Sequence, residues 1–215
     1  MTWIKYLEYK NIPFNIYILE NNDCIIFHTK SKFNHLMIIL DGLIQVLQIF
    51  TNGETICTRL LTKDNIIPNF LSQTSNKLTY YYKATAIIKT AIMIVPFNIL
   101  NKNIKLNNLS IQKLIKLYIY ESKNQNTNLM IQIFCHRNTK KRIIYLLLIL
   151  SKTFGKLKNH EIIIPFYISH NTISMITGSQ RVNVTRIMNH LKNNKIISYN
   201  KQNLRIYNLL QLIQS

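Results

Sequence analysis

Apolar and polar positions follow two different rhythms along this chain. From Ile12 to Pro96 the apolar stretches are short and end at turn residues: Asn21-Asn22-Asp23, Asp41-Gly42 and Asn52-Gly53. Asp-Gly and Asn-Gly between apolar runs are the strongest short-range hairpin signals, since both residues enter a left-handed backbone at low cost. The runs Leu36–Leu40, Leu43–Phe50, Thr55–Leu61 and Leu78–Val95 carry the β-branched and aromatic residues that strands favour. Residues up to Pro96 therefore predict an antiparallel β-sandwich or barrel.

Past Pro96 the period changes, because no Gly or Pro interrupts Phe97–Phe154. Ile111, Leu114, Ile115, Tyr118, Leu129 and Ile133 recur at helical spacing. A helix over Leu109–Cys135 would run roughly 40 Å, too long for one small domain to cover. A stripe on such a helix predicts a dimer seam, although its middle, Glu121–Asn128, is polar. A second helix, Thr139–Phe154, is apolar on most faces and so predicted to be buried, with Gly155 as its C-cap.

The most informative pattern begins at Ser169. This serine can cap a helix over His170–Thr177, with Ile173 and Ile176 facing inward and Gly178 ending it. Ser179 can cap a second helix, Gln180 to about Asn193, with Val182, Val184, Ile187, Met188 and Leu191 as apolar candidates for its buried side. Small Ser174 lets the two helices approach, Gly178 supplies a left-handed turn residue, and Val184 and Ile187 lock them together. The reading is a helix-turn-helix. Lys195–Tyr199 and Leu204–Tyr207 flank Asn200-Lys201-Gln202-Asn203 as a wing, with Ile162–Ile168 as partner strand.

Charge gives this motif a partner. The 215 residues, enough for one large or two small domains, hold 27 Lys plus Arg against 8 Asp plus Glu, a formal net charge of +19. No carboxylate side chain follows Glu161, so the C-terminal surface favours a polyanion through counterion release. On the second helix Gln180, Arg181, Asn183, Arg186, Asn189 and His190 stay exposed. Arg suits guanine, Asn suits adenine, and Val182 is placed to touch a thymine methyl. Ser169, Asn171, Ser179 and Thr185, with the helix-start N–H groups, would serve phosphates. The competing readings are a merely solvated helix face, or an architectural DNA or RNA binder that uses charge alone.

Other classes fall away. Cys24, Cys57 and Cys135 are scattered, odd in number and without C-x-x-C spacing, which fits a reducing compartment and no zinc knuckle. The six histidines lack metal spacing, and G-x-S-x-G, H-E-x-x-H and Walker glycine loops are all missing, so no metal site and no enzyme is expected. The longest apolar run, Ile143–Leu150, is about a third of a membrane span, so no membrane partner is expected. The excess of Ile, Asn and Lys is the bias of AT-rich codons and points to an organelle or a compact AT-rich genome.

At these residues the chain resembles the Crp/Fnr regulator family, and within it the nitrogen-control branch of cyanobacteria and plastids. The similar stretch runs from His136-Arg137 through Leu146–Leu150, Phe154-Gly155, Ile168-Ser169-His170, Gly178-Ser179, Arg181-Val182 and Val184-Thr185-Arg186 to Lys195–Ser198. A weaker similarity spans Leu36–Pro96, through Leu40-Asp41-Gly42, Asn52–Ile56, Asn76-Lys77 and Tyr80-Tyr81-Tyr82. The resemblance implies an α+β protein: an N-terminal antiparallel β jelly roll like those that bind cyclic nucleotides (1–107), a long connecting dimerisation helix (108–136) and a C-terminal winged helix-turn-helix (137–215). It implies a homodimer that binds double-stranded DNA beside promoters and contacts RNA polymerase, in a plastid stroma or a bacterial cytoplasm. Arg181 and Val182 would read the half-site with support from Arg186, and an apolar residue at Val182 goes with GTA and TAC arms. His170, Gln180, Asn183 and Lys195 fall in the same DNA-binding set.

The family's effector site is expected to be degenerate. The loop reads Ile67-Pro68-Asn69-Phe70, with a proline where the nitrogen-control branch has a glycine, and Tyr80 stands in place of its arginine. Only Lys123 keeps a matching charge, and one ammonium cannot replace a bidentate fork on a dicarboxylate. The cyclic-nucleotide version needs Gly-Glu and Arg-Ser pairs that this loop lacks. The expectation is therefore no cofactor, with neither 2-oxoglutarate nor a cyclic nucleotide bound, the jelly roll having lost its ligand or adopted another one.

Overall fold

The computed structural model describes residues 3–9, 11–27, 35–67, 80–96 and 129–215. They belong to two units, Met1–Leu129 and Met130–Ser215.

In the first unit a short helix, α1 (Trp3–Tyr9), precedes β1 (Asn15–Leu19), β2 (Cys24–Phe27), β3 (His35–Asp41), β4 (Ile44–Phe50), β5 (Thr55–Leu61), β6 (Ile66–Ile67), β7 (Tyr80–Ala86) and β8 (Thr90–Pro96). They form two four-stranded antiparallel sheets, β1-β8-β3-β6 and β2-β7-β4-β5. Along β3, Met37 and Ile39 join a core with Ile44, Val46, Leu61 and Ala84 of the other sheet. Leu36 and Ile38 on the opposite face pack with Leu7 and Ile12. A strand buried on both faces reads as an unbroken apolar run, which is how this one appears in the sequence.

The turn signals divide by what they join. Asn52-Gly53 closes the β4–β5 hairpin, with Ile49 opposite Thr55 and the Asn52 Oδ1 accepting from the Glu54 N–H at 3.0 Å. Asp41-Gly42 closes no hairpin: β3 and β4 lie in different sheets, so this turn is a corner of the sandwich. A Cβ on Gly42 would run into the Thr90 hydroxyl. That hydroxyl accepts from the Leu43 N–H at 3.2 Å and donates to the Ile88 carbonyl at 2.8 Å, which ties the corner to the start of β8. The expected run Leu78–Val95 likewise breaks after Ala86 and changes sheet. Ile87 and Ile88 hid the break because they are apolar, and the Ile87 N–H donates to Leu43 O at 2.8 Å.

Residues 129–135 are helical, and in the second unit Met130 and Ile133 of this helix are buried. The rest of the expected long helix, residues 109–128 with Lys123, lies outside the described residues. There follow α2 (Thr139–Phe154), β9 (Lys156–Lys158), β10 (Glu161–Ile164), α3 (His170–Thr177), α4 (Arg181–Asn193), β11 (Ile197–Tyr199), β12 (Leu204–Ile206) and α5 (Leu209–Gln214), the strands in order β11-β12-β10-β9. Asn138 caps α2 by accepting from the Lys140 N–H at 2.8 Å, and the helix buries Ile143, Ile144, Leu146, Leu147 and Leu150.

Gly155 is the C-cap of α2, as expected, its N–H donating to the Ser151 carbonyl at 2.9 Å, in an extended conformation (φ −66°, ψ 136°) and not a left-handed one. Close packing is what demands glycine: a Cβ would collide with the Ser151 carbonyl and come within 2.6 Å of the Ile162 Cγ2. The strand expected over Ile162–Ile168 is β10 alone and stops before Pro165, which has no N–H to pair. Its second partner, β9, was hidden in the sequence because the β9–β10 turn uses two non-glycine left-handed residues, Asn159 (φ 50°) and His160 (φ 64°).

Candidate nucleic-acid interface

Local chemistry builds the α3-turn-α4 unit. Ser169 is extended, and its Oγ accepts the Thr172 N–H at 3.0 Å, which caps α3. Ser174 and Thr177 are buried hydroxyls that satisfy themselves on the Asn171 and Ile173 carbonyls at 2.7 and 2.8 Å. Gly178 is left-handed (φ 59°, ψ 42°), and both its N–H and that of Ser179 point to Ser174 O. Arg142 of α2 braces the turn, donating to the His136 carbonyl at 2.7 Å and the Thr177 carbonyl at 3.2 Å while its guanidinium lies 5.8 Å from the Phe134 ring centre.

Ser179 is not the cap of α4. Its hydroxyl donates back to Thr177 O at 3.3 Å, and Gln180 occupies the cap position without a side-chain bond. The chain leaves the turn pointing the Ser179 side chain toward α3, so the first N–H groups of α4 have no side-chain acceptor and stand ready for an anion.

Burial sorts α4 into two faces. Val184, Met188 and Leu191 are fully buried at helical spacing, Ile187 is half-buried, and Val182 is 68% exposed, so of the expected apolar set Val182 alone is on the outside. Arg181, Val182, Thr185, Arg186 and Asn189 line one open hollow of about 460 Å³. Neither arginine has a carboxylate within salt-bridge distance among the described residues, where the ion pair is Lys89 with Glu20 in the first unit. Such a face can donate to base edges or phosphates and receive a methyl group, and it offers little to a cation.

An aromatic cluster ties the face to the wing. Tyr167 and Tyr199 stack at 5.2 Å, and the His170 ring meets both edge-on, at 6.1 and 5.6 Å. His170 Nδ1 bonds the Thr185 hydroxyl at 3.1 Å, and its Nε2 is buried without a partner. Burial, and secondly the Arg181 charge, hold the His170 pKa below the ordinary imidazole value, so the ring is neutral. Burial, helped by Tyr199, pushes the Tyr167 phenol up to about 12. Two expected contact residues, His170 and Thr185, thus bond each other across α3 and α4. Sequence reasoning missed Tyr167 and Tyr199 altogether, since nothing in their spacing sets them apart from core aromatics.

The remaining expected residues are spread around this face. Ser169, Asn171 and Gln180 are exposed at the starts of α3 and α4, and Asn183 is exposed on α4. Lys195, expected to open the wing strand, sits left-handed (φ 54°) in the preceding turn, and the strand starts at Ile197. At the wing tip the Asn200 Oδ1 accepts the N–H groups of Gln202 and Asn203, both at 2.8 Å, which leaves Lys201 exposed. In the first unit Ile67 is buried in β6, and the Tyr80 ring packs on Phe50 and Tyr82 at 5.7 and 5.5 Å. Pro68, Asn69 and Phe70 of the expected effector loop lie outside the described residues. Among the described residues there is no cluster of metal-binding side chains, and no helix is long and apolar enough to cross a membrane.

Comparison with known proteins places this geometry. Residues 141–215 match the model of the Crp-like helix-turn-helix domain. The chain is 31% identical to the putative HTH-type transcriptional regulator ycf28 of Porphyra purpurea, over 99% of this chain and 86% of that protein. It is 26% identical to the global nitrogen regulator of Synechococcus elongatus, over 100% of this chain and 95% of the relative. Among solved structures, TTHB099, a CRP-family transcriptional regulator from Thermus thermophilus, is similar with a TM-score of 0.69 at 16% identity, covering 93% of this chain and 97% of that one. FixK2 from Bradyrhizobium japonicum is similar with a TM-score of 0.70 at 13% identity, covering 94% of this chain and 97% of that one. At these identities the structures speak for the fold alone.

Proposed function

We propose, since this chain belongs to the Crp/Fnr family of transcription regulators, that it binds a palindromic promoter site on double-stranded DNA as a homodimer, with α4 in the major groove of each half-site. The observation that carries this reading is the outer face of α4, where Arg181, Val182, Arg186 and Asn189 converge on one hollow free of carboxylates. Arg181 lies near the uncapped helix start, so its fork enters deepest and takes a guanine while Val182 meets a thymine methyl. Ser169, Asn171, Gln180 and the open N–H groups of α4 hold phosphates and set the register. A dimer places two such helices about one duplex turn apart, roughly 34 Å.

Relatives named global nitrogen regulator support nitrogen control as the finer reading, and the exposed apolar Val182 goes with GTA-type arms. The site of action is then a promoter served by RNA polymerase, in a plastid or a bacterial cytoplasm. Neither 2-oxoglutarate nor a cyclic nucleotide is the effector: the phenol of Tyr80, packed on Phe50, offers no guanidinium to a dicarboxylate, and the sequence Ile67-Pro68-Asn69-Phe70 lacks the Gly-Glu and Arg-Ser pairs that a cyclic nucleotide needs. Calorimetric titration should give no heat of binding with 2-oxoglutarate; millimolar or tighter binding overturns that part.

The decisive experiment is a mobility-shift series with Arg181→Ala. Loss of a bidentate guanine contact should cost about 1–3 kcal/mol on a GTA/TAC palindrome and far less on random duplex. Equal losses on both would mean that Arg181 contacts phosphate only and that the chain is a charge-driven binder.

A further inference from the structure

Asn189 shares the hollow of Arg181 and Val182 but sits roughly 12 Å further along α4. A free asparagine amide carries an acceptor and a donor group, the pair that matches adenine N6 and N7. This amide is not free. The Tyr199 hydroxyl donates to Asn189 Oδ1 at 3.0 Å. The phenol is itself fixed: its ring stacks on Tyr167 at 5.2 Å, and the Lys192 ammonium stands 5.0 Å above it. A cation over the ring draws electron density from the phenol and strengthens it as a donor. Partial burial also raises the Tyr199 pKa, so the proton stays on the oxygen at neutral pH.

We propose that Tyr199 and Asn189 form a readout pair in which Tyr199, a positioning residue on the wing, holds the amide oxygen toward itself and so turns the NH2 of Asn189 to the groove. The pair then selects guanine, whose N7 and O6 both accept, over adenine, whose N6 amino group would meet a donor with no acceptor beside it. The rest of the hollow agrees. Arg181 and Arg186 only donate, Val182 is apolar, and the Thr185 hydroxyl is engaged by His170. The inference rests on α4 entering the major groove, as proposed above.

Selection of bound duplexes from a randomised pool tests it, with the full chain, Asn189→Asp and Tyr199→Phe compared side by side. Wild type should enrich guanine at one base pair of each half-site, distinct from the pair that Arg181→Ala affects. Asp is nearly isosteric with Asn and accepts the Tyr199 bond with one oxygen, so N189D should turn an acceptor to the groove and replace guanine by cytosine at that pair. Y199F keeps the ring and its stack but frees the amide, and should admit adenine there about tenfold more readily. The proposal is overturned if both variants keep the wild-type preference. It is overturned too if they lose affinity uniformly, which would put Asn189 on phosphate, or if only N189D shifts the preference. A wild-type chain that enriches no sequence refutes the reading of α4 itself, a result none of the other outcomes can mimic.

Discussion

Replacing Gly178 by Ala tests the turn that sets α4 against α3. Two costs can be worked from the structure. The residue is left-handed at φ 59°, and a side chain there costs about 1–2 kcal/mol in backbone strain. The new Cβ would also lie 3.0 Å from Phe134 Cε1. That ring has little room to give, since it is covered by the Arg142 guanidinium, which is bonded to His136 and Thr177. Overpacking adds about 1 kcal/mol, for a sum of about 2–3 kcal/mol. Because the chain has two units, one melting temperature would mix their transitions, so amide hydrogen exchange in α3 and α4 is the better assay. Protection there should fall about 30- to 150-fold, at 1.4 kcal/mol per factor of ten. Gly178→Asn separates the terms: Asn tolerates the left-handed backbone and so keeps mainly the steric cost, about 1 kcal/mol. An Ala variant as protected as wild type, or Ala and Asn variants alike, would show that backbone handedness does not hold this turn.

Two further predictions concern the same unit. Ser169→Ala removes the cap on Thr172 and should cost about 1 kcal/mol, seen as a lower urea midpoint for α3 at unchanged m; no shift would mean that solvent caps the helix equally well. His170 is held neutral below its ordinary pKa, so below about 6.5 the unfolded chain binds more protons than the folded one, and stability must fall as pH drops toward the lowered folded value. His170→Gln should flatten that pH dependence relative to wild type, and identical slopes in urea titrations between pH 7.5 and about 5 would rule the imidazole out as its source.

The helix-turn-helix was legible because its determinants are local. Ser169 reaches a donor three residues on, Gly178 answers to its own φ, and Val184, Met188 and Leu191 repeat at the helical period. The acid-free character of the C-terminal surface followed from counting, whereas Val182, which the apolar pattern also offers to the buried side, is put outside by the fold. The sandwich too could be read as a class, since strand composition and the Asn52-Gly53 hairpin need only neighbours in sequence.

What the sequence could not decide involves partners far apart along the chain. Asp41-Gly42 is a corner and no hairpin because the Thr90 hydroxyl, 47 residues from Leu43, receives that corner's N–H. Gly155 is glycine because Ile162 lies against it, and Ser179 loses the cap because the turn aims its hydroxyl at Thr177. The bonds from His170 to Thr185 and from Tyr199 to Asn189 decide which polar groups α4 still has free. Residue type states what a side chain can donate or accept; only packing between elements, which no local period encodes, determines which of those capacities is already spent.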